Sequence, residues 1–266
     1  MVFFIGEAWY HPMPSSRLEH GGPTVRMRPS TAYWIRYVDP GGRGRQMHLL
    51  TPRTYSLLSA RAALGDDERT EEECRCALQS GVSAGSVREI FLQSYLFLGY
   101  PRAINALSAL NRTLESLGRD PMEGHPSDLE RPETDVVRQR GESLCARIYG
   151  PVYASLRRRM AALHPLLERW MIEEGYGRVL SRANLAPRER EFGVVGALVV
   201  LGVEPQLESH VRGALRVGAS IEETQTAVSS PAGIVDRDKS EIAMRTLLRV
   251  LSSWRFDSQA SGRPTP

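Results

Sequence analysis

The residues in this chain best suited to moving protons near neutral pH are its histidines, set among many acids and arginines. Five of the six histidines do not converge: His11, His20, His48, His125 and His164 show no HxxxH, HxH or HExxH spacing. Metal ligation needs such spacings or assembly by folding, so no metal is expected. The three cysteines, Cys74, Cys76 and Cys145, contain no CxxC. On a helix, Cys74 and Cys76 point about 200° apart and cannot bond to each other. They read as small core residues, and without a dithiol there is no thiol exchange. The sixth histidine, His210, lies in Glu208-Ser209-His210-Val211-Arg212, with Arg182, Arg190 and Arg212 as the nearby arginines. An imidazole delivers or takes a proton near neutral pH. A guanidinium grips a carboxylate with two hydrogen bonds. There is no GxGxxG, Walker loop or GxSxG, and Gly41-Gly42-Arg43-Gly44-Arg45 reads as a turn, so no cofactor is expected.

The elements that must position these groups are helical. Few segments alternate with period two and most repeat with period 3.6, which predicts an all-α fold. In 147–171, Ile148, Tyr153, Leu156, Met160, Leu163 and Leu167 recur at helical spacing, with Pro165 a candidate interruption. Residues 1–47 are rich in glycine and proline and read as an irregular extension. Residues 111–140, with Pro121, Pro126 and Pro132, read as a linker, and 255–266 as a frayed tail. Two helical regions remain, 48–110 and 141–254.

These regions share an internal repeat. Shifting the chain by 137 residues aligns 53–83 with 190–220 at ten identities in 31 positions, among them Leu64-Gly65 with Leu201-Gly202 and Ala77-Leu78 with Ala214-Leu215. Chance would give roughly two, given ordinary residue frequencies. Each copy predicts a helix ending at a glycine (Gly65 or Gly202), a second ending at Gly81 or Gly218, and a third opened by Ser83 or Ser220. Ser220 with Glu223 forms a capping-box pattern.

At these residues the sequence resembles the carboxymuconolactone decarboxylase family, which also contains the alkylhydroperoxidase D-like proteins. The resemblance covers about 49–110 and 170–228. It rests on the Tyr176–Arg182 run, Arg188-Glu189-Arg190-Glu191 and Glu208–Leu215 in one stretch. In the other it rests on Arg88–Gln93, Tyr95, Gly99, Pro101 and Asn105. It implies two tandem all-helical repeats and a homo-oligomer, with three tandem chains making a pseudo-hexamer. The redox branch carries a Glu, a Cys-x-x-Cys and a His. Those positions fall here on Glu191, Val203, Gln206 and His210, and in the first copy on Thr54, Asp66, Arg69 and Glu73. With no thiol at either place, peroxide reduction is excluded. What the resemblance leaves is an acid and an imidazole.

The expected function is therefore a cofactor-independent decarboxylase, lyase or isomerase of a small oxygenated carboxylic acid or lactone. The resemblance implies His210 as the proton carrier, Glu191 as its partner and Arg182 as the substrate anchor, with Glu204 a lesser candidate. The second copy lacks the helix carrying Gln93, Tyr95 and Tyr100. A composite site is expected, with that helix facing His210 and Gln93 and Tyr95 lining the pocket. The rival is a non-catalytic helical scaffold that kept the fold. At 41% apolar and 24% charged residues, disordered and fibrous classes are excluded. Despite a pI near 8.9, no block of five basic residues occurs, so no nucleic-acid partner is expected. The longest uncharged apolar run, Phe192–Val203, is too short to span a bilayer. Met1–Tyr10, with Glu7 and no basic flank, is a poor signal peptide. A cytoplasmic protein is expected.

Overall fold

The computed structural model describes residues 46–126 and 132–260, with the side chains of 46–49 and 255–260 left aside; the 1–47 extension and the 261–266 end of the tail lie essentially outside the described residues. Every regular element among the described residues is helical. The helices are α1 (Gln46–Leu64), α2 (Asp67–Gln79), α3 (Ala84–Ser116), α4 (Thr134–Tyr149), α5 (Tyr153–Leu163) and α6 (Pro165–Trp170). A π-helical segment (Met171–Leu180) follows, then α7 (Pro187–Leu201), α8 (Glu204–Arg216), α9 (Ile221–Ala232) and α10 (Arg237–Ala260).

At the centre is α7. Every residue from Arg190 to Val200 is buried, so its apolar run faces neighbours all round rather than on one stripe. Pro187 opens it, and the Glu189 carboxylate accepts from the Ala186 N–H at 2.8 Å, satisfying one orphan donor. Against α7 lies α1, with small residues at the crossing. A Cβ on Gly196 would stand 2.0 Å from the Ser56 carbonyl oxygen, so the two backbones touch there. Around this pair, α2, α3, α8, α9 and α10 close one large core, including Leu58, Phe91, Leu110, Phe192, Leu207 and Val211. A smaller core joins α4, α5 and the π-helical segment through Leu144, Ile148, Tyr149, Leu156, Ile172 and Tyr176.

Helix ends recur at the 137-residue offset. Leu64 and Leu201 end α1 and α7, Asp67 and Glu204 start α2 and α8, and Ala84 and Ile221 start α3 and α9. Gly65 and Gly202 follow the first pair with φ of 72° and 69°, left-handed stops that glycine adopts at little cost. Ser220 and Glu223 form the reciprocal cap, at 3.0 and 2.8 Å.

Two expectations about element limits are corrected. Residues 147–171 do not make one helix. Gly150, at φ 55°, ends α4, and His164, in extended backbone, separates α5 from α6. The extended connection is shorter than 111–140, because α3 runs on to Ser116 and α4 starts at Thr134. Within α3 the direction changes at Gly99 (φ 75°), just before Pro101, whose ring cannot continue the preceding turn. Cys74, Cys76 and Cys145 are free, and Cys74 and Cys145 are buried.

Candidate active site

His210 and Glu191 meet. Glu191 stands in the second turn of α7 and His210 in the middle of α8, and the imidazole Nδ1 lies 2.8 Å from the carboxylate Oε2. Both are buried, at 6% and 1% side-chain exposure. Gly213, one turn beyond His210, gives the carboxylate its room: a Cβ there would be 3.1 Å from Glu191 Oε2 and 2.7 Å from Ile148 Cγ2. Two aromatic rings flank the imidazole edge to face. Phe97 of α3 has its centroid 5.8 Å away at 87°, and Tyr149 of α4 is 6.2 Å away at 73°. The Tyr176 hydroxyl donates to the Tyr149 oxygen at 3.2 Å. The dyad therefore sits at the seam of the two cores.

Chemically, a carboxylate at Nδ1 holds the proton on that nitrogen and fixes the ring's orientation. Nε2 is then the atom that gains and loses a proton, and it makes no hydrogen bond to the described residues. Burial pushes the Tyr149 phenol up to about 12, with the bond from Tyr176 acting the other way. It also pushes the Cys145 thiol, near Glu191, up to about 12. Both remain protonated at neutral pH. Among the described residues, no group of three or more His, Cys, Asp or Glu side chains could hold a metal ion.

The other expected site residues are placed elsewhere. Arg182 is not held out toward His210. It binds Glu89 with three hydrogen bonds of 2.9–3.1 Å. Arg190 joins the same carboxylate at 2.9 Å and also donates to the Arg182 carbonyl. Gln93 accepts from Arg190 at 3.1 Å and donates to its carbonyl at 2.9 Å. These groups clasp α3 to α7 and to the turn before it. Burial opposes ionisation of Glu89, but Arg182 and Arg190 outweigh it and hold the carboxyl below its usual range. Tyr95 donates to Glu174 and stacks on the exposed Tyr100 at 5.0 Å. Glu204 lies at the surface, paired with Arg245 and Arg249. The helix α3 does reach His210, but it does so through Phe97 rather than through Gln93, Tyr95 or Tyr100.

Sequence reasoning missed Phe97, Tyr149, Tyr176 and Gly213 as neighbours of the dyad. Only Gly213 left a signal, since an interior helical glycine costs about 1 kcal/mol against alanine and usually marks a close approach.

Residues 165–245 match the carboxymuconolactone decarboxylase family. The stretch holds both members of the dyad, Tyr176 and the helices α7 to α9, while α1, α2 and α3 lie outside it. Peroxisomal protein 2 of Schizosaccharomyces pombe is 29% identical over 144 residues, 53% of this chain and 64% of that protein. Peroxisomal protein 2 of Saccharomyces cerevisiae is 27% identical over 173 residues, 56% of this chain and 60% of that protein. The chain thus spans about three fifths of the length of these relatives. In the positions where the redox branch of the family carries cysteines, Val203 is half-buried and Gln206 exposed.

Proposed function

We propose that this protein is a cofactor-independent proton-transfer catalyst of the decarboxylase or lyase type, acting on a small oxygenated carboxylic acid or lactone. The observation that carries the reading is the buried His210–Glu191 pair, with Nδ1 taken and Nε2 unbonded. Loss of CO2 leaves an electron pair on carbon or its conjugated oxygen. A proton from Nε2 of the imidazolium completes the product, and solvent restores the histidine. A positioned acid of this kind contributes about 10²–10⁴ in rate. Glu191 keeps the ring aligned and stabilises its charge. The substrate carboxylate would have to be held by a group other than Arg182, which Glu89 already engages.

The test is CO2 release and product formation from carboxymuconolactone and a panel of β-keto and vinylogous acids. Wild type and His210→Ala are run side by side, with circular dichroism confirming that both fold. Turnover should fall by about 10²–10⁴ in the variant. Turnover that survives the variant would remove His210 from the chemistry.

A second reading, a helical scaffold without catalysis, is favoured by the same engagement of Arg182 and Gln93 in a closed clasp. It gains if the wild type turns over none of the panel. The reading of two tandem repeats belongs to this proposal too, supported by helix ends that coincide at the 137-residue offset. So does a homo-oligomer of three tandem chains, which sedimentation equilibrium would measure. No helix among the described residues is long and apolar enough to cross a membrane. Of compartments, the cytoplasm is the expectation from sequence, and the relatives' names add the peroxisome as the one to test beside it by microscopy.

A further inference from the structure

We propose that Tyr149 is a second catalytic residue of this site, donating its phenol O–H to the substrate oxygen that becomes negative as the carboxylate leaves. The proposal rests on the reading of His210 as the proton donor. It starts from a count of protons. A phenol has one to give. Tyr176 spends its proton on the Tyr149 oxygen at 3.2 Å, and the Tyr149 proton makes no hydrogen bond to the described residues. A buried hydroxyl normally finds an acceptor, because an unmade buried donor is costly. Here the unspent donor is on a side chain whose ring lies against the imidazole that would deliver the other proton. The unbonded Nε2 of His210 and the unspent Tyr149 hydroxyl are thus carried by neighbouring rings.

The backbone fixes this arrangement. Tyr149 is the last residue of α4, and Gly150 turns the chain away immediately after it. Along α4 the π-helical segment approaches until a Cβ on Gly141 would be 2.1 Å from the Ile172 carbonyl oxygen. That contact is backbone to backbone, so neither helix can slide without a clash, and Tyr176 is held against Tyr149. Burial keeps both phenols protonated, and accepting a bond from Tyr176 makes the Tyr149 hydroxyl a stronger donor.

The chemistry defines the substrate class: a β-keto acid, or its vinylogous counterpart, whose carbonyl oxygen lies a few atoms from the carboxylate. The C–C bond to the carboxylate breaks and CO2 leaves. The electron pair moves into the carbonyl, giving an enolate whose oxygen accepts from Tyr149. The carbon then takes a proton from His210 Nε2, the carbonyl re-forms, and the imidazole is reprotonated by solvent. Tyr149 gives a hydrogen bond throughout and gains or loses no proton.

The test uses the full chain and two readouts. The first is binding of 4-nitrophenolate, a planar oxyanion that mimics the enolate, followed by its absorbance. Tyr149→Phe should weaken binding at least tenfold, and Tyr176→Phe by less. The second is decarboxylation of the β-keto acid panel. Tyr149→Phe should lower kcat by about 10²-fold with KM little changed, as removal of one oxyanion donor does. Thermal melting of each variant controls for folding. Wild-type nitrophenolate binding that Tyr149→Phe leaves intact overturns the proposal, as does a wild type that binds no nitrophenolate. Turnover lost in His210→Ala but kept in Tyr149→Phe also overturns it, while leaving the proton-transfer reading standing. No wild-type turnover, with binding lost in Tyr149→Phe, would sink the lyase reading and keep the donor site.

Discussion

Arg190 and Glu191 are neighbours on α7, both buried, and they enter two opposite kinds of cluster. Arg190 points to α3, where Glu89 receives it together with Arg182 and Asn184, and Gln93 completes the clasp. Glu191 points to α8, where among the described residues its carboxylate bonds to His210 and Nε2 stays without a hydrogen bond. In the first cluster the Glu89 carboxylate is saturated, and the cations around it stay charged at any relevant pH. The Arg190 Nε is buried without a partner there, but a guanidinium does not surrender that proton. In the second cluster, the atom left unbonded is an imidazole nitrogen, which can accept a proton as well as donate one. The same helix thus builds an arginine–carboxylate clasp on one side and a buried acid–imidazole pair on the other. The difference lies in what each leaves unbonded: a guanidinium N–H that keeps its proton, or an imidazole nitrogen that can exchange one.

The largest effect should come from breaking the clasp. Glu89→Ala leaves Arg190 buried without its carboxylate, and breaking such a pair costs about 3–5 kcal/mol. Urea denaturation would show it as a lowered midpoint at unchanged slope. A loss under about 1 kcal/mol would mean that solvent reaches Arg190 and that the clasp is no clasp. Acid should act on the same group. The Glu89 pKa is lower folded than unfolded, so its contribution is full above the ordinary glutamate pKa of about 4.3. It is lost as pH falls through the folded value. Glu89→Gln should flatten that acid limb of the stability curve.

Next comes the space around the dyad. Gly213→Ala puts a methyl against Ile148 and the Glu191 carboxylate and should cost about 1–3 kcal/mol. If Glu191 must also move, turnover should fall further than stability alone explains, measured as kcat on folded protein. The smallest effect belongs to Glu204. Its partners Arg245 and Arg249 are exposed, so Glu204→Ala should leave both turnover and the denaturation midpoint unmoved. A clear loss of turnover there would draw the site's boundary wrongly at α8.

The pairing of Glu191 with His210 was legible because both stand at motif positions on consecutive helices, and local sequence fixes both the helix ends and the spacing. Helix ends at Gly65 and Gly202 and the Ser220 cap were legible for the same reason. Arg182 was not. Its place on the family-like turn before α7 suggested an anchor, but its partner Glu89 lies 93 residues away on α3, and which charges meet across elements is decided by packing. Phe97 and Tyr149 were hidden likewise, since an aromatic at helical spacing looks the same whether it fills a core or walls a site. Within 147–171 the break at Gly150 was masked by apolar residues that kept the helical period across it, whereas the break at His164 was signalled by Pro165.

The central claim is that Glu191 holds a proton on Nδ1 and leaves proton exchange to Nε2 of His210. Nitrogen-15 NMR of the histidine rings, titrated across neutral pH with His210→Ala used to assign the signal, reads this without needing a substrate. The account predicts a His210 Nδ1 that carries its proton on both sides of the titration, while Nε2 alone gains and loses one. A neutral ring with the proton on Nε2 and a titrating Nδ1 would contradict it.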